Sequence, residues 1–387
     1  MKADGIVNKQ FEPEAKSRSL QIDGVRRDLR LDACRGVALW FVFIDHVPNN
    51  IVSWLTLRNY GFSDTTEVFV FVSGYTCMIA YGGVLKEQGW LAMILHAVRR
   101  SWQIYVAFLL LLIAYLVLVQ NLGNVRYLDE TNTAVFFEHP GVATIHASLM
   151  QYKPVNTDIL PLFVLLHLAF PALLWLFRCS TWVALATSVL IYIYVQIFGS
   201  NLQGWPRGEW YFNPLAWQVL FVFGMWCASA DPAKLQALVR SRGALACAIL
   251  YLAFSLIVTL SWQVKAIEGL LPATLSKLIY PIDKSNLDAL RLLHFLALAL
   301  AVVRLMPHNW RGLSLWATAT IRCGENSLTI FCLSILLSLI GHAVLEKMSG
   351  TVSMQFVVSV AGIAFMIAAA TLLTWAAKLK GRQPQLF

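Results

Sequence analysis

Three residues that could do chemistry stand in one apolar stretch near the N-terminus. Residues 31–54 read LDACRGVALWFVFIDHVPNNIVSW and carry Arg35, Asp45 and His46 among apolar side chains. A charged side chain at a bilayer centre costs roughly 2.5–3.5 kcal/mol on insertion scales, so such groups usually face a protein interior and function there. Histidine exchanges a proton near neutral pH, which makes His46 the candidate general base. A core histidine bonded to a backbone carbonyl is the alternative for this position.

The spacing within this stretch predicts that Arg35 and His46 lie at two different depths in the membrane. Eleven positions separate Arg35 from His46, and a continuous helix would set them roughly 16 Å apart along its axis. Pro48 follows two residues after His46, so we expect the helix to kink or end there. Asp45 either orients His46 or pairs with an arginine.

A second apolar segment begins with two acids. Asp64 and Glu67 open the stretch DTTEVFVFVSGYTCMIAYG, one helical turn apart. Asp64 suits a helix N-cap, with Glu67 as the reciprocal member of a capping box. Glu67 could instead be a carboxylate that orients a catalytic group.

The amino-acid composition indicates a membrane protein. The chain has 387 residues, of which 58% are hydrophobic and 13% charged, and its mean hydropathy is +0.64. Soluble domains carry about 25% charged residues. The net charge of +9 could suggest nucleic acid, but the positions of the charges fit a membrane topology, so no nucleic-acid partner is expected. The seven cysteines lack CxxC spacing and no HExxH pattern occurs, so we predict no metal site.

The fold class predicted is an all-α polytopic membrane bundle of ten transmembrane helices. Runs of about 20 mainly apolar residues mark candidate spans. They lie near 31–54, 64–85, 102–121, 158–177, 181–199, 214–230, 243–264, 288–306, 316–343 and 352–376. The third could begin near Leu91, and Gly324 could break the ninth.

The distribution of Lys and Arg predicts the orientation. With the N-terminus inside, nineteen basic residues fall on the cytoplasmic side, eight on the outer side and three in or near spans, which accounts for all 30. This bias places both termini in the cytoplasm of an inner-membrane protein. We therefore divide the chain into a basic N-terminal segment (1–30), a transmembrane domain (31–377) and a tail (378–387).

Several sequence blocks resemble one family. Arg35-x10-His46, followed by Glu67 and the Ser73-Gly74-Tyr75 triplet, resembles the motifs of the type 3 membrane acyltransferase superfamily. Further blocks resemble its OpgC-type branch, which succinylates osmoregulated periplasmic glucans: FIDHVPNN (43–50), RNYGFSDTTEVFVFVSGY (58–75), TDILPLF (157–163), FNPLAWQVLFVFG (212–224), PIDKSNLDALRLLHFLAL (281–298) and GENSL (324–328). The resemblance runs from about residue 26 to the C-terminus.

This resemblance implies an O-acyltransferase. An acyl-CoA, with succinyl-CoA favoured, would be the cytoplasmic donor, a periplasmic glucan the acceptor, and no cofactor would be permanently bound. Arg35 would contact the donor from below, near Ser73 of the second span. His46 would deprotonate the sugar hydroxyl or accept the acyl group itself; both roles stay open.

Two pairs of basic residues extend the predicted site. Arg99 and Arg100 stand where the superfamily has an arginine-rich stretch, although Val106 replaces its proline, and either donor binding or a positive-inside anchor fits them. Arg291 and His294 share one helical face. Arg291 could pair with a succinyl carboxylate or form a buried ion pair with Glu67 or Asp45.

Two rival functions fit the same residues. The first keeps the chemistry and transfers acetyl groups to another envelope polysaccharide. The second is a secondary transporter in which Asp45 and His46 relay protons. A transporter should show broken helices paired in two halves, and the sequence shows no such pattern clearly.

Overall fold

The computed structural model describes residues 21–22, 25–26, 29–123, 125–264, 272, 274, 277, 279–305 and 315–379. Most of the predicted N-terminal segment and nearly all of the predicted tail lie outside these residues. Within them the only strands are a short antiparallel pair, β1 (Gln21–Ile22) and β2 (Val25–Arg26). The helices are α1 (Leu29–Asp45), α2 (Thr65–Leu122), α3 (Val125–Glu130), α4 (Ala134–Glu138), α5 (Pro140–Ser148), α6 (Ile159–Cys179), α7 (Thr181–Phe198), α8 (Pro214–Ser229), α9 (Pro232–Arg240), α10 (Arg242–Gln263), α11 (Ala289–Leu305), α12 (Leu315–Glu325), α13 (Ser327–Lys347) and α14 (Val352–Leu379).

Six of these helices are long and apolar enough to cross a membrane. They are α2, α6, α7, α10, α13 and α14. Helix α8 is apolar but has 16 residues, and α1 and α11 have 17 each, which is at the lower limit for spanning the hydrocarbon core. The helical membrane class is therefore confirmed, whereas the count of ten spans and the cytoplasmic termini stay predictions.

Helix α2 contains both the second and the third predicted spans. Gly89 interrupts it with a φ of 84°, a backbone conformation that glycine adopts without strain. A straight helix would set Tyr81 and Arg100 roughly 28 Å apart, yet the charge of Arg100 interacts with Tyr81 and Cys77. The chain must therefore bend back at Gly89. Of the two predicted starts of the third span, the earlier one near Leu91 agrees with this break, and the one at residue 102 is too late.

The first predicted span was too long. Helix α1 ends at Asp45, and residues 51–55 and 57–59 form two short 3-10 helices instead of a continuation. Pro48 has no backbone N–H to donate, and Asn49 takes a positive φ of 55°. The Asn50 side chain then caps the first 3-10 helix by accepting from the Val52 N–H at 3.1 Å. The ninth span is likewise divided, between α12 and α13 at Asn326.

Glycines bring α2 against α8. A Cβ at Gly74 would lie 1.9 Å from the Phe221 carbonyl oxygen, and one at Gly224 would lie 2.2 Å from the Phe71 carbonyl oxygen. Small residues allow such close approach of helix backbones in membranes. The Ser-Gly pair that carried the family resemblance therefore has a packing reason for its glycine.

The packing of α1 against α12 uses the same principle. A Cβ at Gly36 would lie 1.9 Å from the Thr320 carbonyl oxygen, and one at Gly324 would lie 1.9 Å from that of Asp32. These two contacts fix α1, the helix that carries Arg35 and leads to His46, against the C-terminal half of the chain.

We expect Gly74→Ala to destabilise the protein, because its methyl group would press on the backbone of α8. Overpacking of this kind costs about 1–3 kcal/mol, which thermal unfolding of the detergent-solubilised protein measures. Gly82→Ala in the same helix is the matched control, since no described atom lies within 4 Å of its Cβ position. Equal melting temperatures for the two variants would contradict the packing role of Gly74.

Candidate active site

A cavity of about 1400 Å³ lies where the segments predicted on the outer side meet. Four connections between predicted spans contribute to its lining, with residues from 45–66, 132–158, 211–212 and 280–284, and Val352 and Gln355 at the start of α14 complete it. The cavity exceeds the roughly 300–1,000 Å³ of ordinary small-molecule pockets. These four connections therefore meet at one cavity, and the side of the membrane on which it lies stays a prediction.

His46 lines this cavity directly after the end of α1. Its backbone N–H donates to the Val42 carbonyl at 3.2 Å, and its ring Nδ1 lies 2.6 Å from the same oxygen. A carbonyl oxygen only accepts, so Nδ1 carries the proton and donates. The neutral ring therefore keeps Nε2 as its proton-accepting nitrogen. The carbonyl bond that favoured a core histidine is present, and it also sets the tautomer that a general base needs.

Asp45 is held by a hydroxyl group on the connection that follows. Its Oδ1 accepts from the Thr56 Oγ1 at 2.6 Å. Arg58 donates from Nη1 to the Asp45 backbone carbonyl at 3.4 Å. The Nδ1 of His46 bonds to the Val42 carbonyl and not to Asp45. Asp45 therefore does not orient the His46 ring through Nδ1, and any catalytic role of Asp45 would involve a ligand in the cavity that both residues line.

Asp64 and Glu67 form the predicted capping box and also belong to an ion network. Asp64 accepts from the Thr66 N–H at 2.8 Å, and Glu67 accepts from the Asp64 N–H at 3.0 Å. Asp64 Oδ2 lies 2.5 Å from Lys284 Nζ, and Glu67 Oε1 lies 2.6 Å from Arg291 Nη2. Glu67 therefore caps α2 and also pairs with a buried cation, and its role in orienting a catalytic group stays a prediction.

The charge state of Asp64 follows from these partners. Burial raises the pKa of its carboxyl, but Lys284 and Arg291 lower it more, and the net pKa lies well below its usual range. Asp64 is therefore ionised at neutral pH. The ion-pair alternative for Arg291 is what the structure shows, with Glu67 as the nearer partner and Asp64 at 3.4 Å.

His294 contacts the start of α2 beside this network. Its Nδ1 accepts from the Ser63 N–H at 3.3 Å and lies 2.6 Å from the Ser63 Oγ. A Cβ at Gly61 would lie 2.0 Å from its Nε2, so glycine is required for the ring to fit. His294 positions the connection before α2, and it is not among the residues that line the cavity.

A further wall of the cavity holds a buried cation, Lys153. Lys153 is 8% exposed, donates to the Met150 carbonyl at 3.2 Å, and places its ammonium 4.0 Å from the Trp210 ring centroid. Burial lowers the pKa of Lys153 to about 8 and raises that of Asp158 to about 6. A lone lysine in a long loop offered no signal for this contact.

Arg35 lies at the second, deeper level that the spacing predicted. Its Nη2 donates to the Thr76 Oγ1 at 2.7 Å, and its Nη1 lies 3.7 Å from the Asp32 carboxylate. The Thr76 hydroxyl in turn donates to the Val72 carbonyl at 2.7 Å, with the Ser73 carbonyl at 3.2 Å beside it. Arg35 and Ser73 are therefore brought together where α1 meets α2.

Arg100 extends this deeper cluster, whereas Arg99 does not. Arg100 is half-buried and its charge acts on Cys77 and His167, as does that of Arg35. His167 Nε2 lies 3.5 Å from the Cys77 sulfur. The fold-back at Gly89 brings Arg100 near His167, although the sequence around His167 contains no charged residue. Arg99 is exposed.

The candidate residues thus separate into two groups. His46, Asp45 and Arg291 line the cavity, with Glu67 and His294 supporting its wall, and Arg35, Ser73 and Arg100 lie deeper. Among the described residues, no three His, Cys, Asp or Glu side chains are grouped to hold a metal ion.

We expect Glu67→Gln or Arg291→Gln to destabilise the protein strongly. Each would leave one buried charge without its nearest partner, which costs up to about 3–5 kcal/mol, as measured by unfolding in mixed micelles. The double variant should lose less than the sum of the two, because neither charge then remains. The exposed Arg126–Glu346 pair at 3.1 Å is the control, for which we expect little change; additive losses at Glu67 and Arg291 would contradict the ion pair.

Comparison with known proteins assigns the chain to a family. No curated protein and no solved structure matches it. A family model described as OpgC protein matches residues 27–378 of the 387, which include both groups of candidate residues. This chain belongs to the OpgC protein family.

Proposed function

We propose that this protein is an inner-membrane O-acyltransferase that moves an acyl group, with succinyl favoured, from a cytoplasmic acyl-CoA to hydroxyl groups of a periplasmic glucan. The observation that carries the proposal is His46, whose Nδ1 is committed to the Val42 carbonyl while the residue lines a large cavity. Membership of the OpgC family supports the broader function, a membrane acyltransferase that modifies a glucan.

The chemistry assigned to His46 is general base catalysis. Its Nε2 takes the proton of a sugar hydroxyl, and the oxygen attacks the thioester carbonyl carbon. The carbon–sulfur bond then breaks, and the CoA thiolate takes the proton back from the imidazolium. The Val42 carbonyl holds the Nδ1 proton throughout, so the ring keeps the tautomer that the next cycle needs.

The donor would approach from the deeper group of residues. Arg35 and Arg100 place two positive charges there, which suit an anionic donor such as an acyl-CoA. The interval from Arg35 to His46, roughly 16 Å along the helix, is comparable to the length of a pantetheine arm. We propose that this arm lies between α1 and α2 and brings the thioester to His46.

The acceptor would occupy the cavity at the outer side. Its volume of about 1400 Å³ is enough for more than one sugar ring. Its lining combines hydrogen-bonding groups such as Asn59 and Gln263 with the exposed ring of Tyr211. Aromatic faces beside polar groups suit carbohydrate rings.

We expect His46→Ala to abolish acylation of periplasmic glucans, because the base would be missing. Mass spectrometry of glucans from cells that lack this gene should show loss of an acyl mass increment. Wild-type protein should restore the increment and His46→Ala should not. The size of the increment decides between a succinyl and an acetyl donor.

The matched control for this experiment is His96→Ala. His96 also bonds its Nδ1 to the carbonyl four residues earlier, Ala92, at 2.8 Å, but it is exposed and lies outside the cavity lining. This variant should restore acylation fully. Full restoration of acylation by His46→Ala would refute the role of His46 as general base. The His96→Ala control separates that role from the loss of a histidine that merely has the same local hydrogen bond.

We expect Arg35→Gln to raise the KM for acyl-CoA by about tenfold, the loss of one charge-assisted contact, with a smaller change in kcat. Steady-state kinetics of the purified protein measure both. Arg178→Gln, at an exposed arginine at the end of α6, should leave both unchanged. An unchanged KM in Arg35→Gln would remove Arg35 from the donor site.

A further inference from the structure

Four cationic side chains line the cavity, and only two of them have a carboxylate partner. Lys284 lies 2.5 Å from Asp64, and Arg291 lies 2.6 Å from Glu67. Arg58 and Lys153 are the other two, and neither has a carboxylate oxygen within 4.0 Å among the described residues. Arg58 interacts electrostatically with Asp45 and Lys153 with Asp158, but at distances beyond direct ion-pair contact. Any anionic group that enters the cavity therefore meets two cations that no carboxylate contacts directly.

Lys153 is poorly placed to meet a mobile ligand. Its side chain is nearly buried, and its ammonium lies between the Met150 carbonyl and the face of the Trp210 ring. Both contacts stabilise the charge where it is, so a ligand would have to replace them. Lys153 accordingly has a structural role in the wall of the cavity.

Arg58 differs in each of these respects. It lies on the 3-10 helix Leu57–Asn59, and its side chain is exposed at the cavity. Its one recorded hydrogen bond joins Nη1 to the Asp45 backbone carbonyl at 3.4 Å. That bond uses one of five guanidinium N–H groups, so the others can form the two parallel bonds with which arginine binds a carboxylate.

The position of Arg58 relative to His46 decides which anion it suits. Asp45, whose carbonyl Arg58 contacts, directly precedes His46 in the chain. The Asp45 carboxylate itself is held by the Thr56 hydroxyl at 2.6 Å. A dicarboxylic acyl group such as succinyl has only two methylene groups between its thioester carbonyl and its free carboxylate. A carbonyl that reacts at His46 therefore brings that carboxylate into the neighbourhood of Arg58.

We propose that Arg58 binds the free carboxylate of a dicarboxylic acyl donor and so selects such a donor over an uncharged acyl group of the same length. This inference rests on the proposed acyltransferase function. It replaces Arg291 in the role of carboxylate partner, because Arg291 is already paired with Glu67. Arg58 would position the acyl group, and His46 would act on the hydroxyl that attacks it.

The test compares two donors that differ only in the carboxylate at one end. Succinyl-CoA and butyryl-CoA are titrated calorimetrically into the full-length protein in lipid nanodiscs, in a His46→Ala background that prevents turnover. Arg58→Gln should weaken succinyl-CoA binding by about tenfold or more, as expected for a lost charge-assisted pair, and leave butyryl-CoA binding unchanged. Arg58→Lys should fall between the two, because lysine keeps the charge and loses the planar fork.

Lys153→Gln is the matched control, as the other cavity cation without a carboxylate partner, and it should leave the ratio of the two affinities unchanged. Equal weakening of both donors in Arg58→Gln, or no weakening of either, would overturn the assignment. The failure of the proposed function has a separate readout. It would appear as a wild-type protein that binds the donors but transfers neither acyl group to glucan.

Discussion

The buried ion pair between Glu67 and Arg291 is the interaction on which the outer site depends. It joins the first turn of α2 to α11, which is more than 200 positions away in the sequence. Neither charge is tolerable alone in a protein interior, so each requires the other. Glu67 also bonds the backbone of Asp64, and Asp64 pairs with Lys284. One network thus caps a helix and closes the cavity around His46.

The need of a buried charge for a polar partner also explains the arrangement around Arg35, Ser73 and Arg100. Arg35 lies within an apolar helix, and its cost is offset by the Thr76 hydroxyl on α2 and by Asp32 one turn earlier. Gly36 and Gly74 bring the backbones of α1 and α2 close to α12 and α8, which removes lipid from these polar contacts. The glycines and the arginine are therefore parts of one arrangement.

The sequence predicted the helical membrane class and the Asp64–Glu67 capping box, because apolar runs and local caps depend on residues close in the chain. Its first predicted span ran past the end of α1, because the residues from 51 to 54 are again mainly apolar, whereas its alternative start near Leu91 agrees with the break at Gly89. Pro48 marked the first break, but the αL conformation of Asn49 and the cap at Asn50 depend on the backbone geometry that follows.

The sequence by itself determined which candidate site residues are present and how they are spaced: a histidine in an apolar stretch, an arginine eleven positions before it, and acids at the start of the next helix. What only the tertiary structure decided is which charge neutralises which. Arg291, Lys284, Arg58 and Lys153 are similar cations in a sequence, yet two are matched by carboxylates, one lies under an aromatic ring and one is exposed beside His46. The reason is physical, because an ion pair requires contact within a few ångströms. Such contacts between residues far apart in the chain arise only when the helices pack.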